Sequence, residues 1–271
     1  MSALAATPSV PGDLVTVFLS SSPRPQDSEN DAGAIMLHQA LLSVRRTLGL
    51  ERAPAVCIFD GRHPALPEEQ WAAYQRKISL IKADPLFAGG VTIVEHEEWL
   101  HQAHGLQRAM TAHLDPLRPI VFSIQDDTVV FGAVDVPHIC RALLEDPGVE
   151  YVKLFWRRDI FDHDDETTNY EVQPGTPHPS SDLIHRTHFW SDRPHFALVS
   201  HYNERVWPRI GDADRVTMEQ ACEAASSEDG DNWGLWIYGK RGDMRRESHN
   251  KHARRGSGNN KGRQSAYFVR G

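Results

Sequence analysis

The strongest constraint on the fold of this chain is a change of hydrophobic period that recurs along its first 130 residues. Short β-branched and apolar runs, bounded by Gly, Pro, Ser or Asp, alternate with stretches whose apolar residues return every three or four positions. "LVTVFLSSS", Leu14 to Ser22, reads as a buried strand opening into a loop. Leu37, Leu41, Val44 and Leu48 then form a helical stripe. Pro54 to Phe59 is a second strand ending in Asp60 and Gly61, and Pro67 starts a helix with Trp71, Tyr74, Ile78 and Ile81 at helical spacing. "GGVTIVEH" gives a third strand, His101 to His113 another helix, and "PIVFSI" a fourth strand that runs into Gln125, Asp126 and Asp127. This rhythm predicts an α/β fold: a mostly parallel central sheet with helices on both faces. Ligands of such sheets bind beyond the carboxyl ends of the strands. Ser20 to Ser22, Asp60, Asp126 and Asp127 all lie at those ends, so one crevice can collect them.

After residue 135 the rhythm loosens. A short helix from Asp135 and Pro137 stops at "EDPG", and "EYVKLFW" is a fifth strand. Residues 157–182, polar and proline-bearing, read as a long loop. "HFALVS" and "WGLWIYG" are strand candidates around a helix in "TMEQACEAA". No run of apolar residues approaches the roughly 20 needed to span a bilayer, and residues 1–12 lack a signal-peptide pattern and read as a flexible leader. Three widely spaced cysteines, Cys57, Cys140 and Cys222, argue against a disulfide framework or a cysteine-ligated zinc site and point to a cytoplasmic setting. The net charge of −8 is uneven. Residues 240–271 hold ten Lys or Arg against Asp243 and Glu247, a local +8, which leaves −16 on residues 1–239. A basic end on an acidic body suits a polyanionic ligand such as a diphosphate or nucleic acid, or else a solvated tail.

Two adjacent acids at the end of a buried strand belong either to a solvated turn or to a site for a divalent cation, because carboxylates resist unpaired burial. Asp60 fits a hydrogen bond to a ribose or base, or an ordinary Asp-Gly turn. Glu219, opening a later helix, fits a general base or an acid favoured by the helix dipole. Arg108, on the helix before the fourth strand, fits a nucleotide contact or a solvated helix face. Trp190 and Trp233 fit a stacking platform for an acceptor, or core positions.

From "LVTVFLSSSPRP" to "RRESHNKH" the chain resembles a glycosyltransferase of the GT-A fold, a Rossmann-like arrangement of a nucleotide-binding half and an acceptor-binding half. "VTVFLSSSPR" resembles the first strand and donor loop, "VCIFDGRHP" the second strand with its nucleotide contact, and "FSIQDDTVV" the metal-binding DxD motif. "FWSDRPHFALVSHY" resembles the strand after the acceptor region, "VTMEQ" the catalytic acid, and "WGLWIYGKRGDMRRESHNKH" the closing strand with a histidine for the metal. The resemblance implies Ser20, Arg24, Asp60 and Asp126 as donor contacts, and Asp127 with His249 or His252 as ligands of Mn2+ or Mg2+. It further implies Glu219 as the base of an inverting transfer from a nucleotide-diphosphate sugar, a UDP-sugar first, to an acceptor hydroxyl. Residues 13–130 would be the nucleotide-sugar half and 131–240 the acceptor half of a single domain, with 241–271 closing on the donor site. Gln125 departs from the pattern, standing where the family commonly has its first Asp.

The acceptor stays open among a glycan, a protein, a small molecule and a hydroxymethylated base in DNA, the last suggested by the basic end. A sugar nucleotidyltransferase would carry a Gly-rich loop after its first strand, and "LSSSPRPQDSEN" has no Gly. A non-enzymatic nucleic-acid-binding protein would use residues 240–263 and bind with a steep salt dependence.

Overall fold

A computed structural model of the protein describes residues 10–24, 27, 31–154, 172–187, 190–211, 217–228, 233–239 and 265–269, with backbone alone for 172–176, 227 and 265–269. Four strands open the sheet: β1 (Val15–Ser21), β2 (Ala55–Phe59), β3 (Val91–Glu95) and β4 (Ile120–Gln125). Between them lie α2 (Ala32–Thr47), α3 (Glu68–Ala83) and α5 (His101–His113), each where the helical spacing predicts it. Two single-turn helices, α1 (Pro11–Leu14) and α4 (Pro85–Ala88), precede β1 and β3. The expected leader is thus helical at its end, where the Arg118 guanidinium donates to the Gly12 carbonyl. Residues 1–9 lie outside the described residues.

The chain continues through β5 (Thr128–Gly132), α6 (Val136–Glu145), β6 (Tyr151–Leu154), β7 (Val172–His178), β8 (Ser181–Thr187), β9 (His195–Leu198), β10 (Leu235–Tyr238) and β11 (Ser265–Val269). Among the described residues nine strands form one sheet in the order β3-β2-β1-β4-β9-β6-β10-β8-β7, and β11 pairs with β5 in a separate parallel pair. Strands β8 and β9 run against the other seven, so the sheet is mixed but mostly parallel. Its first four strands are parallel neighbours, as the alternation requires.

Helices cover both faces. Leu37, Leu41 and Val44 of α2, Tyr74, Ile78 and Ile81 of α3, and Ile139 and Leu143 of α6 pack with Val17, Leu19 and Phe122 on one side. On the other, Leu106 and Met110 of α5 meet Phe18, Val121, Trp190, Tyr202, Met218, Cys222 and Trp233. β1 lies between both layers and is buried almost throughout, which explains a near-continuous apolar sequence in place of alternation.

Residues 172–182 are not the loop their composition suggests. β7 and β8 form a hairpin at the sheet's edge, where one flank is open and a polar sequence is tolerated. His178 fastens its turn, with Nε2 2.9 Å from Asp146 Oδ2 and Nδ1 2.7 Å from the Ser180 hydroxyl. The rest of the expected loop, residues 157–171, and the last two residues of the expected fifth strand lie outside the described residues. No described helix is long and apolar enough to cross a membrane.

Gly61, just past β2, is required by close packing. A Cβ there would stand 2.2 Å from the carbonyl carbon and oxygen of Glu98, in the segment leading to α5. Neither backbone can yield without moving a strand end, so Gly61→Ala is expected to lower stability by about 1–3 kcal/mol. Thermal denaturation of the variant checks this; an unchanged melting temperature would mean that the 98–100 segment gives way freely.

Candidate active site

The crevice at the carboxyl ends of β1, β2 and β4 is built on buried charge. Register places Ser20 beside Ile58 on one flank and Gln125 on the other. The next backbone amides continue the pairing: Asp60 N donates to Ser21 O (3.1 Å) and Asp126 N to Ser20 O (3.0 Å). Side chains alternate along a strand, so Asp126 and Gln125 point to opposite faces. Asp126 turns to the α3 side and is wholly buried. There it accepts hydrogen bonds from Lys77 Nζ (2.6 Å) and the Ser21 hydroxyl (2.6 Å), and Arg24 Nη2 lies 3.0 Å from its other oxygen. Lys77, 2% exposed, also pairs with Asp27 at 3.1 Å.

Burial opposes the charge on every member of this network. Lys77 and Arg24 nevertheless hold Asp126 below the usual carboxylate range, and Asp126 and Asp27 keep Lys77 above its own ordinary value. For Asp27 burial wins, and its pKa rises despite Lys77. Asp126 therefore acts inside the protein as an anchor.

Asp127, one residue on, is 22% exposed at its side chain and is held by Arg24, Nη1 to Oδ2, at 2.5 Å. Arg24 comes from the loop after β1, and its own amide donates to Asp27 Oδ2 (2.8 Å). Burial disfavours its charge, but Asp126, Asp127 and Asp27 outweigh that and raise its pKa.

Gln125 faces the α5 side and donates to Asp192 Oδ2 at 2.9 Å. β9 brings Asp192 there by running antiparallel to β4, with His195 opposite Ser123. The segment is tied down by buried groups. His195 lies 2.5 Å from Arg193 O and 2.6 Å from the Tyr202 hydroxyl, and burial pushes its pKa down to about 3. Tyr151 OH donates to Ser191 O (2.6 Å).

The helix Met218–Glu228 is fixed to the same segment, with Trp190 N donating to Ser226 Oγ (3.1 Å). Its first turn is steadied by Thr217 Oγ1, which accepts from Gln220 N (3.2 Å). Glu219 is consequently delivered to the Ser191 hydroxyl at 3.0 Å, beside Asp192. Burial first, then the charges of Glu219 and Asp127, push Asp192 up to about 7. The crevice thus holds two neighbouring carboxyls, one of which keeps its proton near neutral pH, and such pairs serve acid–base chemistry.

Other expectations fare differently. Ser20 stands half-buried at the crevice, between the Asp60 and Asp126 strand ends. Asp60, 5% exposed, is an internal acceptor: Oδ1 takes hydrogen bonds from Gly61 N (2.9 Å) and Leu100 N (2.8 Å), and burial raises its pKa. Arg108 lies on the solvent face of α5 with Glu98 3.8 Å away, opposite the face that packs on the sheet. Trp190 and Trp233 take the core places that their sequence setting also allowed. They are 1% and 2% exposed, in the second core layer, with no indole face open to stack on an acceptor. His249, His252 and nearly all of residues 241–271 lie outside the described residues. Asp192 and Lys77 are the residues that sequence reasoning missed. Lys77 had a signal, since it sits three after Tyr74 and four before Ile81, within the apolar stripe of α3.

The described residues do not by themselves fit a resident divalent cation. Among them no group of three His, Cys, Asp or Glu side chains is placed to hold one. Asp126 is wholly buried and already paired with Lys77 and Arg24, and the exposed acid of the pair, Asp127, is already neutralised by Arg24.

No family model and no curated protein matches the chain. Among solved structures it is similar to CMP:2-keto-3-deoxy-manno-octonic acid synthetase complexed with CTP, at 13% identity and a TM-score of 0.42, over 88% of this chain and 97% of that one. It is also similar to 4-diphosphocytidyl-2C-methyl-D-erythritol synthase from Anaerococcus prevotii DSM 20548, at 12% identity and a TM-score of 0.43, over 86% of this chain and 88% of that one.

The raised Asp192 makes stability depend on pH. Between about pH 4 and pH 7 the folded protein keeps a proton that the unfolded chain has lost, so stability falls as pH rises through this window and levels off above it. A shift of this size is worth at most about 4 kcal/mol. Asp192→Asn, which still accepts from Gln125, is expected to gain melting temperature on the wild type as pH rises across that window. A difference that is constant with pH would show that Asp192 titrates normally.

Proposed function

We propose that this crevice transfers a glycosyl group from a nucleotide-diphosphate sugar to an acceptor hydroxyl, with Glu219 as the base. The observation that supports the reading most directly is the arrival of Glu219 beside Asp192 and Gln125. There it flanks the strand end at which Arg24 and Asp127 stand. A carboxylate base then lies on one side of the crevice and a guanidinium suited to phosphate on the other.

In the reaction the acceptor O–H proton passes to Glu219 as the acceptor oxygen bonds to the anomeric carbon. The bond from that carbon to the diphosphate breaks, and its electron pair leaves on the phosphate oxygen. A single displacement of this kind inverts the anomeric configuration. Asp192, hydrogen-bonded by Gln125 and raised by its surroundings, limits the negative charge around Glu219 while the proton is taken up. Ser191 orients the Glu219 carboxylate.

The test is a screen of uridine, guanosine, adenosine and cytidine diphosphate sugars for thermal stabilisation of the full chain, since a ligand of the folded state raises its stability. Turnover is followed by release of the nucleoside diphosphate, with glycans, proteins, small alcohols and hydroxymethylated DNA as acceptors. Glu219→Gln is expected to lower kcat about a hundredfold or more while donor binding changes little. An equal loss in binding and turnover would remove Glu219 from the base role. Pyrophosphate release from a nucleoside triphosphate and a free sugar would replace glycosyl transfer with nucleotidyl transfer. Salt-sensitive nucleic-acid binding with no nucleotide-sugar binding would replace both.

A further inference from the structure

We propose that Arg24 supplies the positive charge for the donor's diphosphate, so that this site binds a nucleoside diphosphate without a divalent cation. The proposal rests on the nucleotide reading above and concerns how the same crevice neutralises its ligand.

Arg24 differs from the other cation of the network in being reachable. Its side chain is 29% exposed, against 2% for Lys77. It is anchored at its backbone by Asp27 and at its guanidinium by Asp126, neither of which a ligand displaces easily, because Asp126 is wholly buried. The bond to Asp127 is the exchangeable one. Asp127 is partly in solvent and meets the guanidinium through one oxygen, Oδ2 on Nη1, and an arriving phosphate oxygen offers Nη1 the same charge-assisted contact. Binding is then the exchange of one anion for another on a fixed fork, and it costs no loss of pairing at the buried end.

A divalent ion at Asp127 would do the opposite. It seeks six or more hard oxygens. The oxygens here are largely spoken for: Asp127 Oδ2 by Arg24, Asp127 Oδ1 by the Thr128 hydroxyl at 3.3 Å, and Asp126 by Lys77, Ser21 and Arg24. Pulling Asp127 onto a metal would first break its bond to Arg24 and then set a dication beside that guanidinium. Gln125 spends its amide N–H on Asp192.

The experiment compares the full chain in chelator with the chain in Mg2+ or Mn2+, using uridine, guanosine, adenosine and cytidine diphosphates and inorganic pyrophosphate as probes in thermal denaturation and calorimetric titration. The expected result is the same affinity with and without the divalent ion. Arg24→Gln weakens binding by about tenfold to a hundredfold, and Arg24→Lys, which keeps the charge but not the fork, falls between. Melting of the unliganded variants reports whether they fold. Asp127→Asn is the decisive variant: removal of the competing carboxylate leaves binding in chelator unchanged or tighter. Binding that needs the divalent ion and disappears in Asp127→Asn would overturn the proposal while leaving the nucleotide reading intact. Failure of every diphosphate and every nucleotide sugar to bind under either condition would overturn the nucleotide reading itself.

Discussion

The crevice is organised around the buried Lys77 ammonium, which joins α3 to the loop after β1 and to the turn after β4. Taking an ammonium and two carboxylates out of water costs several kcal/mol per ion, and the cost is recovered only with short, well-placed partners. That requirement dictates position. α3 must present Lys77 at the strand ends, β4 must end where Asp126 meets it, and Asp27 must lie where it shares the charge. Loss of any one member would strand its partners in an apolar layer. The network therefore fixes the geometry of the strand ends more tightly than packing alone, since apolar contacts tolerate small shifts and buried ion pairs do not.

This dependence explains what was legible in the sequence. The parallel half of the sheet and its helices were readable because each element buries one stripe or one run, and burial imposes its period on the residues. The insertion of β9 between β4 and β6, antiparallel to both, was not, because "HFAL" carries no mark of its direction. The β7–β8 hairpin was hidden by its polar, proline-bearing sequence, which an edge position permits. At the crevice the strand-end acids were readable as a group, but not their division of labour. Asp60 and Asp126 are buried among internal partners, whereas Asp127 keeps its pair with Arg24 partly in solvent, a distinction set by which way each side chain turns at the end of a strand.

Trp190 and Trp233 show the limit from another side. An indole beside a loop reads equally as a platform or as core, and only the packing of Tyr151, His195, His201 and Tyr202 against them decides for core. The same buried rings give Glu219 its place. They hold residues 190–195 rigid, and that segment in turn carries the hydroxyl and the backbone amide that bind the helix Met218–Glu228. A residue with no local mark beyond its place in a first helical turn thus acquires a defined position through a core assembled from separate parts of the sequence.

Gln125 acquires a physical reason in the same way. Its amide nitrogen donates to Asp192, whose carboxyl already feels the charges of Glu219 and Asp127. An aspartate at 125 would offer an acceptor where a donor is needed and would set a third negative charge against Asp192, driving its pKa higher still. A neutral donor does the reverse and keeps Asp192 within reach of titration near neutral pH. The amide at 125 is thus matched to the neighbour that β9 delivers. It belongs to the same logic that pairs Asp127 with Arg24: the acids of this crevice are balanced by side chains of the chain itself, and the site's chemistry is set by which of those balances a ligand can exchange.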